Sequence, residues 1–422
     1  MNIKSVIVNG LFHTFNHEIK FNNGNIAIII GENGIGKTTI LQIIYSIFSK
    51  KIEYLFTIDF NYIQITFTHD VWRITKDKEN ILTIKREGSK PFNIKRKNNQ
   101  DLLWLRRFIV QTNDNEWIDR RTGISISRDE IIQRYGKDPL MEVDYIPDWF
   151  NDAVKNNHVI YIKTQRLYRT EYERERDIRE LEYMVKTYSN ELVKLLQEKD
   201  TDFTTKSIQL DSTFPVRLLT EVNHRNKQIT PEYIHSIITD INNLNKYRAL
   251  LSSVGIINKQ DDDLISSSLG TLNDPGALSI LNLYINDNKQ KLEVFSNIAR
   301  KLEILLRIIN KRFKHKKLSV DKNKGFIIKS NYEDRDIDVE KLSSGEQNEL
   351  IIFYNLLFKT NNDDIVLIDE PEISLHIAWQ QQLINDLKEI AKETGISLLI
   401  STHSPDIIGD YWSLVQTLSS NE

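Results

Sequence analysis

The sequence predicts an α/β fold: a mixed β-rich lobe and a parallel α/β core, interrupted by a helical insertion with a short antiparallel coiled-coil arm. Three observations predict it. An apolar run at residues 25–30 leads into a glycine-rich loop and then a helix. Apolar strands alternate with helices over residues 342–401, the pattern of parallel pairing. Between these ends lies a long, charged stretch with helical periodicity. The boundaries that follow are 1–169 for the first lobe, 170–317 for the insertion and 318–422 for the second lobe.

In the first lobe, the run at 25–30 reads as a strand buried on both faces. It feeds Gly31-Glu32-Asn33-Gly34-Ile35-Gly36-Lys37-Thr38, the spacing G-x-x-x-x-G-K-[ST] of a phosphate-binding loop. A helix beginning Thr39-Ile40-Leu41-Gln42-Ile43-Ile44 completes the strand, loop and helix that this motif requires. Tyr62-Ile63-Gln64-Ile65-Thr66-Phe67-Thr68 alternates with period two, as do residues 71–75. With 81–85 they predict an antiparallel meander with one wet face. Residues 98–150, rich in Trp and Pro, are expected to be loops with short helices. Val159-Ile160-Tyr161-Ile162 reads as another buried strand, ending at Thr164-Gln165-Arg166.

The insertion is predicted to open with a helix over 171–200, its apolar positions Ile178, Leu181, Val185, Leu192 and Leu195. A second helix is expected over 286–316 from Leu292, Phe295, Ala299, Leu302, Leu305 and Ile309. About thirty residues each make an arm of at most about 45 Å. Helices near 231–250 and 276–285 are expected between them, with a surface loop around Asp261-Asp262-Asp263. In the second lobe, residues 318–330 predict a hairpin turning at 321–325. Helix 346–358, strand 365–369, helix 376–393 and strand 396–401 follow.

The chemistry sits where these elements end. Polyphosphate needs many donors at close range, and small residues with a helix N-terminus supply them. Gly34 and Gly36 let backbone amides approach, Lys37 reaches the β and γ oxygens, and the Thr38 hydroxyl suits Mg²⁺. Asn33 and Thr39 flank them as further nucleotide contacts. Asp369 ends an apolar strand, where a carboxylate is costly unless it meets a cation or donors. Its expected role is coordination of Mg²⁺, with Glu370 polarising the attacking water. Ser343, Ser344, Gly345 and Glu346 begin a helix; they read as an anion site or as an N-cap. His403 follows a strand and reads, beside the other motifs, as a γ-phosphate sensor. Gln165 is a further Mg²⁺ ligand or a plain turn residue.

Composition narrows the classes. The 422 residues are 40% hydrophobic, enough for a large core. Lys+Arg number 56 against 59 Asp+Glu, a net charge of −3, which argues against a wholesale nucleic-acid coat. The chain has no cysteine, which excludes disulfides, thiolate metal sites and thiol nucleophiles. No secretory signal or membrane-spanning run is visible, so a soluble cytoplasmic protein without membrane association is expected. Basic clusters at Lys311, Arg312, Lys314, Lys316 and Lys317, at Lys95-Arg96-Lys97 and at Arg106-Arg107 read as solvated surface or as a DNA-facing patch.

Taken together, the motifs resemble the ABC-type ATPase family, in the branch with SMC, Rad50, RecF and OLD proteins. The resemblance covers 1–169 and 318–422. It implies an ABC ATPase head that binds ATP and Mg²⁺ and hydrolyses ATP. Residues 31–38 match the Walker A loop, Gln165 the Q-loop, Leu342-Ser343-Ser344-Gly345-Glu346-Gln347 the signature, Asp369-Glu370 the Walker B pair, Ser374-Leu375-His376 the D-loop and His403 the switch histidine. Phe12 and Phe15 lie near where that family's β-lobe meets adenine, or pack in the core. The family implies a homo-oligomer built on head-to-tail dimers, in which Ser344 acts on the nucleotide of the other copy. More narrowly, Ile162-Lys163-Thr164-Gln165-Arg166-Leu167, the run from Pro371 through Gln380 and Thr402-His403-Ser404-Pro405 resemble ATPases of bacterial anti-phage systems, PARIS first and Septu or retron systems second. Only a short tail follows His403, and no His-Asn-His pattern is present. A separate effector is therefore expected, a TOPRIM-like (DUF4435) or HNH nuclease, with a phage protein as trigger and DNA as a further ligand. The other reading is a DNA-repair ATPase of the RecF or Rad50 type. A transporter ATPase fits poorly, because the insertion is far larger than a transporter's helical subdomain.

Overall fold

A computed structural model describes residues 3–21, 25–97, 108–113, 116–121, 123, 125–126, 128, 130–131, 141–143, 145–173, 178–223, 230–258, 275–332 and 335–419. Two compact units emerge: Met1–Thr164 with Thr360–Glu422, and Gln165–Lys359.

In the first unit, five strands form a sheet in the order Val159–Ile162, Ile365–Asp369, Ser397–Ser401, Ile26–Ile30, Val415–Thr417. Every pairing is parallel, as alternating strands and helices predict. Ile365–Asp369 is buried along its whole length, which is why it reads as an unbroken apolar run. Register matters for the site. Ile162 pairs with Ile368, Asp369 with Ser401, and Ser401 with Ile29. The loops that leave these strands therefore start side by side on one edge of the sheet.

A seven-stranded antiparallel sheet runs Met141–Val143, Phe92–Arg96, Ile81–Arg86, Val71–Lys76, Tyr62–Phe67, Ile3–Leu11, Phe15–Lys20. Tyr62–Phe67 alternates between half-exposed and buried positions, so its period-two pattern marks one dry face. That face and the parallel sheet share one core with helix Lys37–Phe48, through Ile40, Ile44, Ile47, Ile65, Leu367 and Leu399. Trp72 is fully buried in this core, with ring centroids 4.8 Å from Phe67 and 5.3 Å from Phe150. Five strands of these two sheets escape the sequence reading: Ile3–Leu11, Phe15–Lys20, Phe92–Arg96, Met141–Val143 and Val415–Thr417. The last has three residues, too few to show a period. Within 98–150, the described residues hold a small sheet of Ile109–Asn113, Glu116–Asp119 and Ser125–Ile126, then helix Asp148–Asn156. The expected loops are thus partly strands. Arg106-Arg107 lies outside the described residues.

The second unit corrects the expected arm. Within the expected 171–200 helix, Tyr168–Glu173 and Ile178–Tyr183 are instead strands that pair antiparallel. The Tyr168 and Tyr183 rings close one end of this pair, 4.9 Å apart. Apolar residues three apart share a face in a helix but not in a strand, so pairing between the strands, not apolar spacing, sets the structure here. The helix begins at Met184 and runs 40 residues to Asn223, roughly 60 Å, longer than expected. The expected 286–316 helix is two helices, Pro275–Glu293 and Ser296–Arg312. Phe295 stands at the break, at the N-cap of the second helix, and its ring is buried 5.4 Å from Phe203. Pro275–Glu293 packs against both Met184–Asn223 and Pro231–Ser253, so the helices form a cluster rather than a simple pair. The Asp261-Asp262-Asp263 loop lies outside the described residues. The hairpin of Lys316–Asp321 and Gly325–Ser330 gains a third short strand, Asp336–Ile337.

The basic cluster at 311–317 also differs from a plain helix end. Phe313 is extended, which stops the helix at Arg312. Lys316 and Lys317 open a strand. Arg312 faces inward, and its Nε lies 3.2 Å from Glu349 Oε1 on helix Ser344–Phe358, with both side chains at most 2% exposed. A buried pair is costly to halve and nearly neutral to replace whole. Arg312→Ala is therefore expected to destabilise the protein by about 3–5 kcal/mol in denaturant unfolding. Arg312→Met with Glu349→Leu should recover most of that loss. Equal losses in the single and double variants would contradict the pairing.

Candidate functional site

The strand Ile26–Ile30 ends at Gly31 and turns through two glycines with positive φ, Gly34 at 85° and Gly36 at 97°. Gly36 is needed twice over: a Cβ there would lie 2.5 Å from Leu11 Cδ2. At Gly34 no atom lies within 4 Å of an added Cβ, which leaves its backbone exposed for a ligand to approach. Helix Lys37–Phe48 starts with no side-chain cap and no acidic residue in its first turn. Its first amides and the positive end of its dipole thus suit an anion. Asn33 and Gly34 are exposed in the loop. Lys37 is 5% exposed, and its Nζ donates to the carbonyls of Gly31 at 2.8 Å and Glu32 at 2.9 Å. Burial lowers its pKa, and the carboxylates of Glu370, Asp369 and Glu372 oppose that shift. This cradle and charge fit a nucleotide triphosphate.

Across from the loop, Asp369 is 1% exposed. Three hydroxyls donate to its carboxylate. Thr38 Oγ1 stands 3.2 and 3.0 Å from its two oxygens, and Tyr161 Oη and Thr164 Oγ1 each lie 3.1 Å from Oδ2. Burial pushes the Tyr161 phenol well up, and the Asp369 charge adds to this, so Tyr161 stays a donor. Thr38 and Asp369 facing each other at hydrogen-bond distance suit a hard cation bound to oxygen. Thr39, next in the helix, hydrogen-bonds to Tyr54.

Glu370 has φ 45°, a left-handed conformation unusual outside glycine. Its amide donates to Ser401 at 2.9 Å while its side chain leaves the strand. His403 lies between the two charged partners: Nε2 is 3.7 Å from Glu370 Oε1, and Nδ1 is 3.5 Å from Lys37 Nζ. The first unit therefore brings Lys37, Thr38, Asp369, Glu370 and His403 together, from segments more than three hundred residues apart.

Gln165, Ser343, Ser344, Gly345 and Glu346 belong to the second unit. Gln165 is exposed, and Arg166 beside it is buried, its Nε donating to Asn348 Oδ1 at 3.0 Å. Ser343 caps helix Ser344–Phe358 in a capping box with Glu346. Glu346 Oε2 accepts from Ser343 N at 2.8 Å, Ser343 Oγ at 2.9 Å and Lys316 Nζ at 2.9 Å. The Glu346 carboxylate is thus turned to its own helix start, while Ser343 and Ser344 remain exposed.

Sequence reasoning missed several residues that shape the site. Tyr161 was read as a strand residue and Thr164 as its end. The hydroxyl type at a parallel strand's C-terminal edge was the available signal. His17 is buried, with Nε2 2.8 Å from the Ile35 carbonyl inside the phosphate loop. Its ring stacks on Phe15 at 5.8 Å. Phe12 is 41% exposed and stands beside Gly36, where its Cε2 would lie 3.5 Å from an added Cβ.

Residues 1–408 match the AAA ATPase domain family, AAA_15, and the chain belongs to it. By that family it is an ATPase. Among curated proteins it is similar to the phosphonates import ATP-binding protein PhnC of Staphylococcus epidermidis, 35% identical over 83 residues, 20% of this chain and 31% of that protein. PhnC of Staphylococcus aureus is 32% identical over 83 residues, with the same coverage of 20% and 31%. The chain thus matches under a third of the length of these curated relatives. Among solved structures, an Smc head domain derived from Pyrococcus furiosus, bound to the C-terminal domain of ScpA, is 12% identical with a TM-score of 0.34, covering 99% of this chain and 94% of that one. The SMC head domain from Thermotoga maritima is 12% identical with a TM-score of 0.36, covering 99% and 95%. Among the described residues, no helix is long and apolar enough to cross a membrane.

Two outcomes follow from this geometry. Tyr161→Phe removes one donor from Asp369 and keeps the ring that packs 5.6 Å from Tyr45. A hydrogen bond to a carboxylate contributes about 1.5–3 kcal/mol. Turnover should therefore fall about tenfold while ATP affinity stays within about twofold. Unchanged turnover would show that Asp369 is held without Tyr161. Burial lowers the His17 pKa below its ordinary 6.5. The unfolded chain then takes up a proton first, so stability falls as pH drops below about 6.5 toward the depressed folded value. The denaturant midpoint of His17→Gln should depend less on pH between 7.5 and 5.5, on the order of a few tenths molar less change than in the wild type. Parallel pH profiles would rule this out.

Proposed function

We propose that the chain is a regulatory ATPase of an anti-phage defence system, working as a homo-oligomer of head-to-tail dimers that controls a separate effector. The observation that carries the catalytic part is the convergence of Lys37, Thr38, Asp369, Glu370 and His403 in one unit. In this reading the loop amides and Lys37 hold the triphosphate of ATP, with Asn33 and Thr39 at its margins. Glu370 polarises the attacking water, and His403 senses the γ-phosphate. Thr38 and Asp369 would hold Mg²⁺, which would supply positive charge beside the phosphates. The exposed Ser343 and Ser344 at a helix N-terminus support a role toward the nucleotide of a second copy. The Pro371–Gln380 run and the Thr402-His403-Ser404-Pro405 segment support the defence reading.

The effector in this reading is a nuclease, TOPRIM-like or HNH, released or restrained by ATP-driven closure and triggered by a phage protein. Glu370→Gln should bind ATP, lose hydrolysis by about a hundredfold or more, and accumulate as an ATP-dependent dimer in sizing experiments. Lys37→Ala should lose both ATP binding and protection of cells from phage. Full protection by both variants would overturn the defence reading. Turnover stimulated by DNA, with DNA binding falling steeply as salt rises, would favour the repair ATPase instead.

A further inference from the structure

Glu372 belongs to none of the motifs that carry the catalytic reading, yet it holds two parts of the site together. It sits in the turn that follows Glu370, a turn bent by positive φ at Glu370 and Ser374. Its Oε1 accepts two hydrogen bonds from the loop after strand Ser397–Ser401: from Thr402 Oγ1 at 2.8 Å and from the His403 amide at 2.7 Å. Its Oε2 is buried and has no hydrogen-bond partner among the described residues. A carboxylate with one oxygen doubly engaged and the other dry is an expensive way to cap a loop. A surface turn would place such a residue in water.

The same loop is tied at its neighbours. The Thr402 amide donates to Ile29 at 3.1 Å, and the Ser404 amide donates to Thr402 Oγ1 at 3.0 Å. Ser404 Oγ donates to Gln380 Oε1 at 2.6 Å. The Glu372 contact links the His403 backbone directly to the turn that carries Glu370. We propose that Glu372 is a positioning residue: it clamps the histidine loop to that turn, and so holds the His403 imidazole within reach of both Glu370 and Lys37. The distances at stake are 3.7 Å to Glu370 and 3.5 Å to Lys37. A displacement of about 1 Å at such a site costs up to a hundredfold in rate.

This inference rests on the catalytic reading of His403 and Glu370. The test separates the two by a double-mutant cycle on the full-length protein, with steady-state ATPase kinetics as the readout. Glu372→Ala should lower kcat about tenfold and leave KM within about twofold. Glu372→Gln should stay within about threefold of wild type, because its amide oxygen accepts the same two bonds. In a His403→Ala background, Glu372→Ala should add less than about a twofold loss. Equal losses with and without His403 would overturn the clamp, as would wild-type kcat in Glu372→Ala. Wild-type kcat in His403→Ala alone would instead remove the reading beneath it. Should Glu372→Ala fail to fold, Thr402→Val removes one of the two donors and should lower kcat about threefold, again only when His403 is present.

Discussion

A carboxylate buried at the end of an apolar strand has to be given donors, and Asp369 is that carboxylate. At 1% exposure it draws hydroxyls from three places: Thr38 at the start of the phosphate-loop helix, Tyr161 in the neighbouring strand and Thr164 just beyond it. An ionised group left dry would cost several kcal/mol, on the order of the whole stability of a domain. Satisfying it therefore ties the central strand, the edge strand and the phosphate loop into one arrangement. The same arrangement presents Thr38 and Asp369 to a cation. Stability and chemistry draw on the same oxygens.

Parallel register supplies the rest. Because Asp369 pairs with Ser401 and Ser401 with Ile29, the loops that carry the candidate site leave the sheet in adjacent lanes. Glu370 then turns out of its strand in a left-handed conformation, which brings its carboxylate toward His403. Conformations of this kind persist where surrounding bonds over-determine them. Here the Glu370 amide bond to Ser401 and the Glu372 bonds to Thr402 and His403 do so.

In the second unit, the helix that begins at Ser344 is gripped from three sides. Lys316 meets Glu346, Arg166 meets Asn348, and Arg312 meets Glu349. These bonds lie within its first six residues. They hold the helix start firmly while Ser343 and Ser344 stay exposed. Arg166, next to Gln165, and Arg312, at the end of the last insertion helix, thus bond to the same turn.

The sequence by itself determined the parallel core and the glycine loop between a strand and a helix, and it singled out Lys37, Thr38, Asp369, Glu370 and His403, which the fold brings together. Each is read from local chain: a glycine spacing between a strand and a helix, or a polar residue ending an apolar run. Residues 365–369 were legible to the residue because a strand buried on both faces has no polar positions to blur it. Only the tertiary structure decided the rest. Tyr168–Glu173 and Ile178–Tyr183 became paired strands although the apolar spacing suits a helix. The 286–316 helix broke where Phe295 found a buried seat. Glu346 turned to its own cap, and Arg312 to Glu349 rather than solvent. Tyr161, Thr164, His17 and Glu372 joined the site because partners distant in sequence met them there. A local pattern records how a segment folds; it carries no record of which far segment completes its hydrogen bonds.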